Sequence, residues 1–414
     1  MDYGLIGSRL GHSYSKPIHE KVGGYAYELH ALPTEAEARA FLEARPFKAI
    51  NVTIPYKQLV IPYCDELDPL AEKIGAVNTV VNRGGRLYGY NTDYMGFSYL
   101  AAHHGVKFRG KNVLILGTGG THNTVAAVCR DAGAAQVLTA GRSGRNGALS
   151  YGVAASRSET QILINTTPVG MYPDNTGCPL DPAVFPRLEA VLDVVYNPFA
   201  TELVLRARDR GVPAFGGFEM LVAQAVYAAE RFTGRMLDEK TVIRETHADL
   251  KRELVNVSLI GMPGCGKSTI GRMLAAQLGK TFVDLDERIE KKAGRSIPDI
   301  FAREGESAFR RLEAEALAET AARGGQVIAC GGGVVKTPGS AHALRRNGPV
   351  LWVQRRVTRL ATAGRPLSKG LDELQRMEQE RYPLYKAAAD AVIVNETTPD
   401  DAVFAARRAL RALV

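Results

Sequence analysis

The chain has no run of about 20 uncharged apolar residues, the length a bilayer-spanning helix needs. No basic segment leading into a short apolar stretch follows Met1, so neither secretion nor membrane insertion is expected. Cysteine is sparse: Cys64, Cys129, Cys178, Cys265 and Cys330 stand singly, without a C-x-x-C pair or a His/Cys cluster at zinc spacing. That pattern excludes a disulfide framework and points to reduced thiols in a cytoplasmic protein. A basic tail is also missing. The 52 lysines and arginines outnumber 44 acids, but they are spread along both halves. Anionic small substrates and nucleotides account for that sign, and no nucleic-acid or membrane partner is expected. No internal repeat is evident. What remains is 414 residues, more than one hydrophobic core usually organises, so two or three compact units are expected.

Gly261-Met262-Pro263-Gly264-Cys265-Gly266-Lys267-Ser268 reads as a complete G-x4-G-K-S phosphate loop. Its surroundings match. Val255 to Ile260 is a short apolar run with strand propensity, and Ile270, Met273, Leu274, Gln277 and Leu278 recur at helical spacing until Gly279. Backbone N–H groups from Gly261, Gly264, Cys265, Gly266 and Thr269 can wrap the phosphates of ATP at a helix N-terminus. Lys267 can reach the outer phosphates, and Ser268 can hold Mg2+. Cys265 fills a free position of the motif and is not expected to be redox-active.

A second nucleotide turn lies upstream. The apolar run Lys111 to Leu116 predicts a buried parallel strand, followed at once by Gly117-Thr118-Gly119-Gly120 and a helix from about Asn123 to Arg130. The next strand, Gln136 to Ala140, leads to Gly141-Arg142-Ser143-Gly144-Arg145, with no carboxylate at its end. An acid there would hold a ribose 2'-hydroxyl, whereas Arg142 and Arg145 suit the 2'-phosphate of NADP(H).

The first hundred residues contain Gly11-His12-Ser13-Tyr14-Ser15, Asn51-Val52-Thr53-Ile54-Pro55-Tyr56-Lys57, Gly75-Ala76-Val77-Asn78-Thr79 and Gly89-Tyr90-Asn91-Thr92-Asp93. Farther on come Ile164 to Met171, Asp193-Val194-Val195-Tyr196 and Leu221-Val222-Ala223-Gln224-Ala225. In this order the motifs resemble shikimate dehydrogenases over roughly residues 1 to 245. The resemblance implies a substrate rim of Ser13, Ser15, Thr53, Lys57, Asn78, Asp93, Tyr196 and Gln224. It also implies a cofactor site of Gly117, Gly119, Gly120, Arg142, Arg145 and Gly217. Reducing a ketone leaves an alkoxide that must be protonated. Lys57 is the implied proton donor and Asp93 the group that orients it. Read without the resemblance, Lys57 is a surface ammonium and Asp93 a helix cap. Two departures stand out. The proline after the second serine comes one place late, in Lys16-Pro17, and Thr121-His122-Asn123-Thr124 replaces the usual small residues and arginine after the glycine turn. Thr124 demands room between helix and strand, and Asn123 removes a cation from the phosphate side.

From about residue 254 onward, Phe282-Val283-Asp284-Leu285-Asp286, Ala308-Phe309-Arg310, Cys330-Gly331-Gly332-Gly333, Gly364-Arg365-Pro366-Leu367 and Glu380 to Tyr385 resemble shikimate kinases. The resemblance implies Asp284 beside Ser268 in the Mg2+ shell, and Asp286 orienting the attacking hydroxyl. Arg310 and Arg381 become carboxylate clamps, Gly332 and Gly333 give backbone access to the ring, and Arg365 is a lid arginine over the phosphates. Asp286, two residues beyond Asp284, is expected on the same strand face. Thr398-Pro399-Asp400-Asp401 predicts a capped terminal helix.

The expected fold class is therefore α/β throughout: a substrate-binding α/β domain (1–100, completed by a helix at about 219–240), a Rossmann NADP-binding domain (101–218), a linker or helix tail (241–253) and a P-loop kinase domain with a parallel sheet (254–414). The two resemblances join into one bifunctional enzyme. NADPH-dependent reduction of 3-dehydroshikimate gives shikimate, which ATP and Mg2+ convert to shikimate 3-phosphate on the route to chorismate and the aromatic amino acids. The alternative is a shikimate kinase carrying an inactive, ligand-binding dehydrogenase-like module. A monomer or homodimer is expected.

Overall fold

Short apolar runs build three separate sheets in the computed structural model, which describes residues 1–11, 13–144, 147–360 and 370–414. The chain divides into two units, Met1–Asp249 and Leu250–Val414.

The first sheet contains β1 (Tyr3–Gly7), β2 (Glu28–Ala31), β3 (Ala49–Val52), β4 (Glu66–Leu67), β5 (Thr79–Arg83) and β6 (Arg86–Tyr90), in spatial order β2-β1-β3-β5-β6-β4. β1 runs parallel to β2 and β3, while β5 is antiparallel to β3 and β6. Successive strand residues point to opposite faces. Accordingly Ile6, Ile50 and Val80 join one core, with Leu42 and Leu87, whereas Leu5, Ala49 and Val81 join another, with Tyr27, Ala228 and Phe232. The last two belong to the helix Phe218–Thr233, which returns from later in the chain to cover that face.

The second sheet is wholly parallel: β7 (Asn112–Leu116), β8 (Gln136–Gly141), β9 (Leu149–Ser150), β10 (Ile162–Asn165), β11 (Ala190–Asp193) and β12 (Ala214–Phe215), ordered β12-β11-β10-β7-β8-β9. Read from β9, this is the 3-2-1-4-5-6 order of a dinucleotide fold, whose ligand crevice lies where the order reverses, outside the ends of β7 and β10. Ile115 and Ile164 pack on one face, Leu114 and Leu163 on the other, which explains the unbroken apolar runs.

Two helix limits differ from the sequence expectation. The helix after the glycine turn spans Gly120–Asp131, not Asn123 to Arg130, because its first turn is polar and carries no apolar periodicity to mark it. The helix expected at about 219–240 stops at Thr233, terminated by Gly234, and a separate helix, Glu239–Leu254, occupies the stretch read as linker or helix tail. Ile243 and Leu250 anchor that second helix in full burial.

The third sheet is parallel as well, with β13 (Val257–Ile260), β14 (Thr281–Asp284), β15 (Gln326–Ala329), β16 (Val350–Gln354) and β17 (Ala391–Val394) in the order β14-β15-β13-β16-β17. The P-loop thus leaves the central strand. Asp286 is not on the strand face expected for it. β14 ends at Asp284, whose carboxylate accepts from the Asp286 backbone N–H at 3.1 Å and caps the helix Leu285–Ala293, so Asp286 lies in the first helical turn. The long helix Ile297–Ala321 breaks at Gly305 (φ 79°, ψ 178°), leaving Arg310 on the segment beyond the kink. The terminal helix Pro399–Leu413 carries the expected cap, a Thr398–Asp401 capping box, and buries Ala402, Val403, Ala406 and Leu410.

Candidate functional site

In the first unit Lys57 follows β3 and Asp93 opens the helix Thr92–His103. Asn91, not Asp93, caps that helix, accepting from the Tyr94 N–H at 3.1 Å. The Asp93 carboxylate is therefore left to take the Lys57 ammonium, Nζ to Oδ2 2.6 Å, with the two side chains only 12% and 10% exposed. Lys57 also donates to Thr121 Oγ1 at 3.3 Å, so the atypical turn after the glycines touches the lysine directly. A second tie joins the same elements: Asn91 Nδ2 donates to Thr124 Oγ1 at 3.1 Å. Thr124 is buried and hydrogen-bonded. Its extra bulk is accommodated, not crowded.

Elsewhere in this unit Ser13 Oγ donates to Ser15 Oγ at 3.1 Å, and Tyr14 lies against Tyr196 with ring centroids 5.9 Å apart. Burial pushes the Tyr196 phenol up, against a hydrogen bond with Ser13, so it stays a neutral donor. Asn78 is held by Thr92 and Thr79, accepting from the Thr92 N–H at 2.7 Å. Gln224 Nε2 donates to the Leu221 carbonyl at 2.9 Å, and Thr53 is half-buried beside Lys57 in sequence. Pro17 falls in the first turn of the helix Ser15–Gly23, where a missing N–H removes no helical bond.

On the dinucleotide side, Gly117 follows β7 and donates its N–H to the Ala140 carbonyl at 2.8 Å. Gly119 stands at the N-cap and Gly120 at the first position of a helix with no side-chain cap, which leaves N–H groups for an anion. Gly217 is likewise an N-cap without a side-chain bond. Arg142 is exposed just past β8; Arg145 lies outside the described residues. His122 is held by Thr139 Oγ1 at 2.7 Å and Asn123 Oδ1 at 3.1 Å. Burial lowers its pKa, so it supplies no cation in place of the missing arginine. The donor set still suits a dinucleotide phosphate, since the uncapped helix end and Arg142 remain.

In the second unit, Gly266 has φ 101°, a conformation a side chain resists, and a Cβ there would approach Asn395 Nδ2 to 2.5 Å. The helix Lys267–Leu278 begins without a side-chain cap, as the phosphate-binding reading requires. Lys267 folds back on the loop, donating to the carbonyls of Gly261 and Met262 at 3.0 Å each. Cys265 is fully buried, its carbonyl held by Asn395 Nδ2 at 2.8 Å; Thr269 continues the first helical turn. Ser268 Oγ donates to Asp284 Oδ2 at 2.7 Å, bringing together two oxygen donors of the hard kind Mg2+ prefers.

Beside the loop a cavity of about 120 Å³ is lined by Asp286, Arg310, Glu313, the glycines Gly331 to Gly333, and Arg381. Arg310 pairs with Glu313 at 2.6 Å and with Glu306 at 3.1 Å. Arg381 and the Tyr385 hydroxyl both donate to the Gly332 carbonyl. A Cβ on Gly331 would meet Asp286 Oδ1 at 2.6 Å, and Arg310 stands equally close to Gly333, so bare backbone keeps this wall thin. Glu313 and Tyr385 were not singled out in the sequence. Arg310 and Glu313 at i, i+3 spacing were the available signal for the first; the second closes the Glu380 to Tyr385 motif, which assigned it no role of its own. Burial pushes the Glu313 carboxyl up, although Arg310 pulls the other way. Arg365 lies outside the described residues.

A glycine turn at the crevice of a doubly wound sheet, with a lysine–carboxylate pair bonded to it, defines a dinucleotide-dependent oxidoreductase, and the second unit's P-loop and arginine-lined cavity define a small-molecule phosphotransferase. The family model for the shikimate dehydrogenase substrate binding domain matches residues 5–80, and that for shikimate kinase matches 263–410. The chain belongs to the shikimate dehydrogenase family and carries a shikimate kinase domain after it. The shikimate dehydrogenase (NADP(+)) of Clostridium perfringens is 34% identical over 266 residues, covering 60% of this chain and 98% of that protein. Among solved structures, a chorismate mutase/shikimate 5-dehydrogenase fusion from Clostridium acetobutylicum aligns with TM-score 0.56 at 33% identity, over 60% of this chain and 96% of that one. Shikimate 5-dehydrogenase from Thermus thermophilus, in complex with NADP(H) and shikimate, aligns with TM-score 0.53 at 30% identity, over 60% and 99%.

Proposed function

We propose that the chain reduces 3-dehydroshikimate to shikimate at Lys57 and Asp93, then phosphorylates shikimate at the cavity beside the P-loop. The observation that carries this reading is the 2.6 Å Lys57–Asp93 pair, which is joined through Thr121 to the dinucleotide turn. NADPH bound at Gly117, Gly119, Gly120, Arg142, Arg145 and Gly217 supplies a hydride, and ATP with Mg2+ at Lys267, Ser268 and Asp284 supplies a phosphoryl group.

Lys57 delivers a proton to the alkoxide oxygen, and Asp93 keeps its ammonium aimed. Ser13, Ser15, Thr53, Asn78, Tyr196 and Gln224 hold the carboxylate and hydroxyl rim of the substrate. In the kinase half, Arg310 and Arg381 grip the same carboxylate, and Asp286 orients the hydroxyl that attacks. Lys267 leaves the loop carbonyls for the outer phosphates, and Arg365 shields them. The feature that would favour an inactive dehydrogenase-like module is the atypical turn Thr121 to Thr124. That turn donates no clash; it offers Lys57 a hydroxyl. Small molecules are the only partners proposed, with neither nucleic acid nor membrane, in a monomer or homodimer of the cytoplasm. The free cysteines agree with that compartment, and no helix among the described residues is long and apolar enough to cross a membrane. Following nicotinamide absorbance with shikimate and NADP+ or NAD+ tests the first activity; a chain that phosphorylates shikimate but reduces neither cofactor contradicts it.

A further inference from the structure

Histidines gather around one buried carboxylate at the far end of the helix that opens with Asp93. His103 closes the helix Thr92–His103, His104 is its C-cap, and Glu219 lies in the first turn of Phe218–Thr233, which packs along it. Glu219 is 7% exposed. Its Oε2 is 2.9 Å from His104 Nε2 and its Oε1 3.6 Å from His103 Nδ1. Both rings are held in place: His104 stacks on Phe215 with centroids 3.8 Å apart, and His103 on Tyr99 at 5.8 Å. His247, whose ring lies 5.4 Å from that of Phe218, acts electrostatically on the same carboxylate.

One imidazolium suffices to pair a carboxylate, and here two imidazoles reach it while a third acts on it electrostatically. The donor atoms of His103, His104 and Glu219 all lie within 4.8 Å of one another. Around a tetrahedral zinc with bonds of about 2.0–2.1 Å, neighbouring donors sit roughly 3.3 Å apart, and each histidine lies near that spacing from one oxygen of Glu219, His104 from Oε2 and His103 from Oε1. Two ring nitrogens and one carboxylate oxygen are a borderline donor set, suited to Zn2+ or Co2+ and poorly to Mg2+. The Ser268–Asp284 oxygens are the reverse case.

We propose that His103, His104 and Glu219 form a binding site for a divalent transition-metal ion of the zinc class, with His247 alongside. A bound ion bridges the end of one helix to the start of the other. These helices carry Asp93 and Gln224, so the ion braces the dehydrogenase frame without touching its reacting groups.

The test uses the whole chain, stripped with a chelator and titrated with Co2+ and then Zn2+ in the absence of nucleotide. The expected result is uptake of one equivalent of Co2+ with the visible absorption of a four-coordinate ion, displaced by Zn2+, and an upward shift in unfolding temperature. Uptake should survive Ser268→Ala, which damages the P-loop oxygen pair, and disappear in Glu219→Gln. The single variant His103→Gln, which keeps the His104–Glu219 contact, should weaken uptake by about tenfold or more and serves if Glu219→Gln does not fold. Absence of stoichiometric uptake by the unaltered chain, or uptake unchanged in His103→Gln, overturns the proposal.

Discussion

In the proposed reading Lys57 and Lys267 both meet developing negative charge, yet their neighbours differ in kind. Lys57 is paired with a carboxylate and touches the Thr121 hydroxyl from the helix after the glycine turn. Lys267 is occupied by carbonyls of its own loop, and Arg310 by Glu306 and Glu313. In the proposed reading the dehydrogenase pair stands ready before substrate arrives, whereas Lys267 rests on loop carbonyls that the phosphates displace, and Glu313 aims Arg310 at the cavity. The chemistry explains the difference. A proton donor must be aimed at one atom, while phosphoryl transfer needs movable positive charge and closure around a nucleotide.

The comparison is broken most severely at the lysines themselves. Lys57→Ala is expected to lower NADPH-dependent reduction by about 10²–10⁴-fold with phosphorylation retained, and Lys267→Ala to do the converse by at least about 10²-fold. Assaying both reactions on each variant checks this, and loss of both activities in either would end the picture of independent sites. Glu313→Gln should come next, raising the kinase KM for shikimate roughly tenfold, the worth of a charge-assisted hydrogen bond, with little change in kcat. Because burial raises the Glu313 pKa, this group takes up a proton before an ordinary carboxylate as the pH falls. Shikimate KM should therefore climb on the acid side in the unaltered chain, and this climb should flatten in Glu313→Gln. Thr121→Val sharpens the other half of the comparison. Its contact with Lys57 is long, so a fall in dehydrogenase kcat of about fivefold is expected, with KM for ATP unmoved.

Asp193 gives the smallest effect and concerns stability alone. Burial, opposed by hydrogen bonds from Thr201, Val195 and Asn165, pushes its carboxyl up to about 7. Between the ordinary carboxylate range and about pH 7 the folded chain then binds more protons than the unfolded one, so stability contributed by this group falls as pH rises through that window. Thermal melts at about pH 5 and about pH 8 should show a pH dependence that Asp193→Asn reduces.

Much of this was readable beforehand, for identifiable reasons. The P-loop, the glycine turn and the flanking apolar runs are local signals, since each is set by backbone needs within about ten residues. Lys57 and Asp93 could be named only through resemblance, because their pairing joins residues far apart in sequence. The position of Asp286 was misjudged because strand spacing was extended past a residue that ends the strand by capping a helix. Thr121 was noticed as a departure, but its contact with Lys57 depends on tertiary approach. Glu313 escaped because a glutamate three places from an arginine on a helix is usually a solvated pair, and only burial in the cavity makes it more.

The most direct measurement supplies the unaltered chain and Lys267→Ala with 3-dehydroshikimate, NADPH and ATP–Mg2+, following nicotinamide absorbance and identifying the products. The account predicts NADPH oxidation by both proteins, with shikimate 3-phosphate formed by the first and shikimate accumulating with the second. Failure of the unaltered chain to oxidise NADPH while it still phosphorylates added shikimate would contradict it.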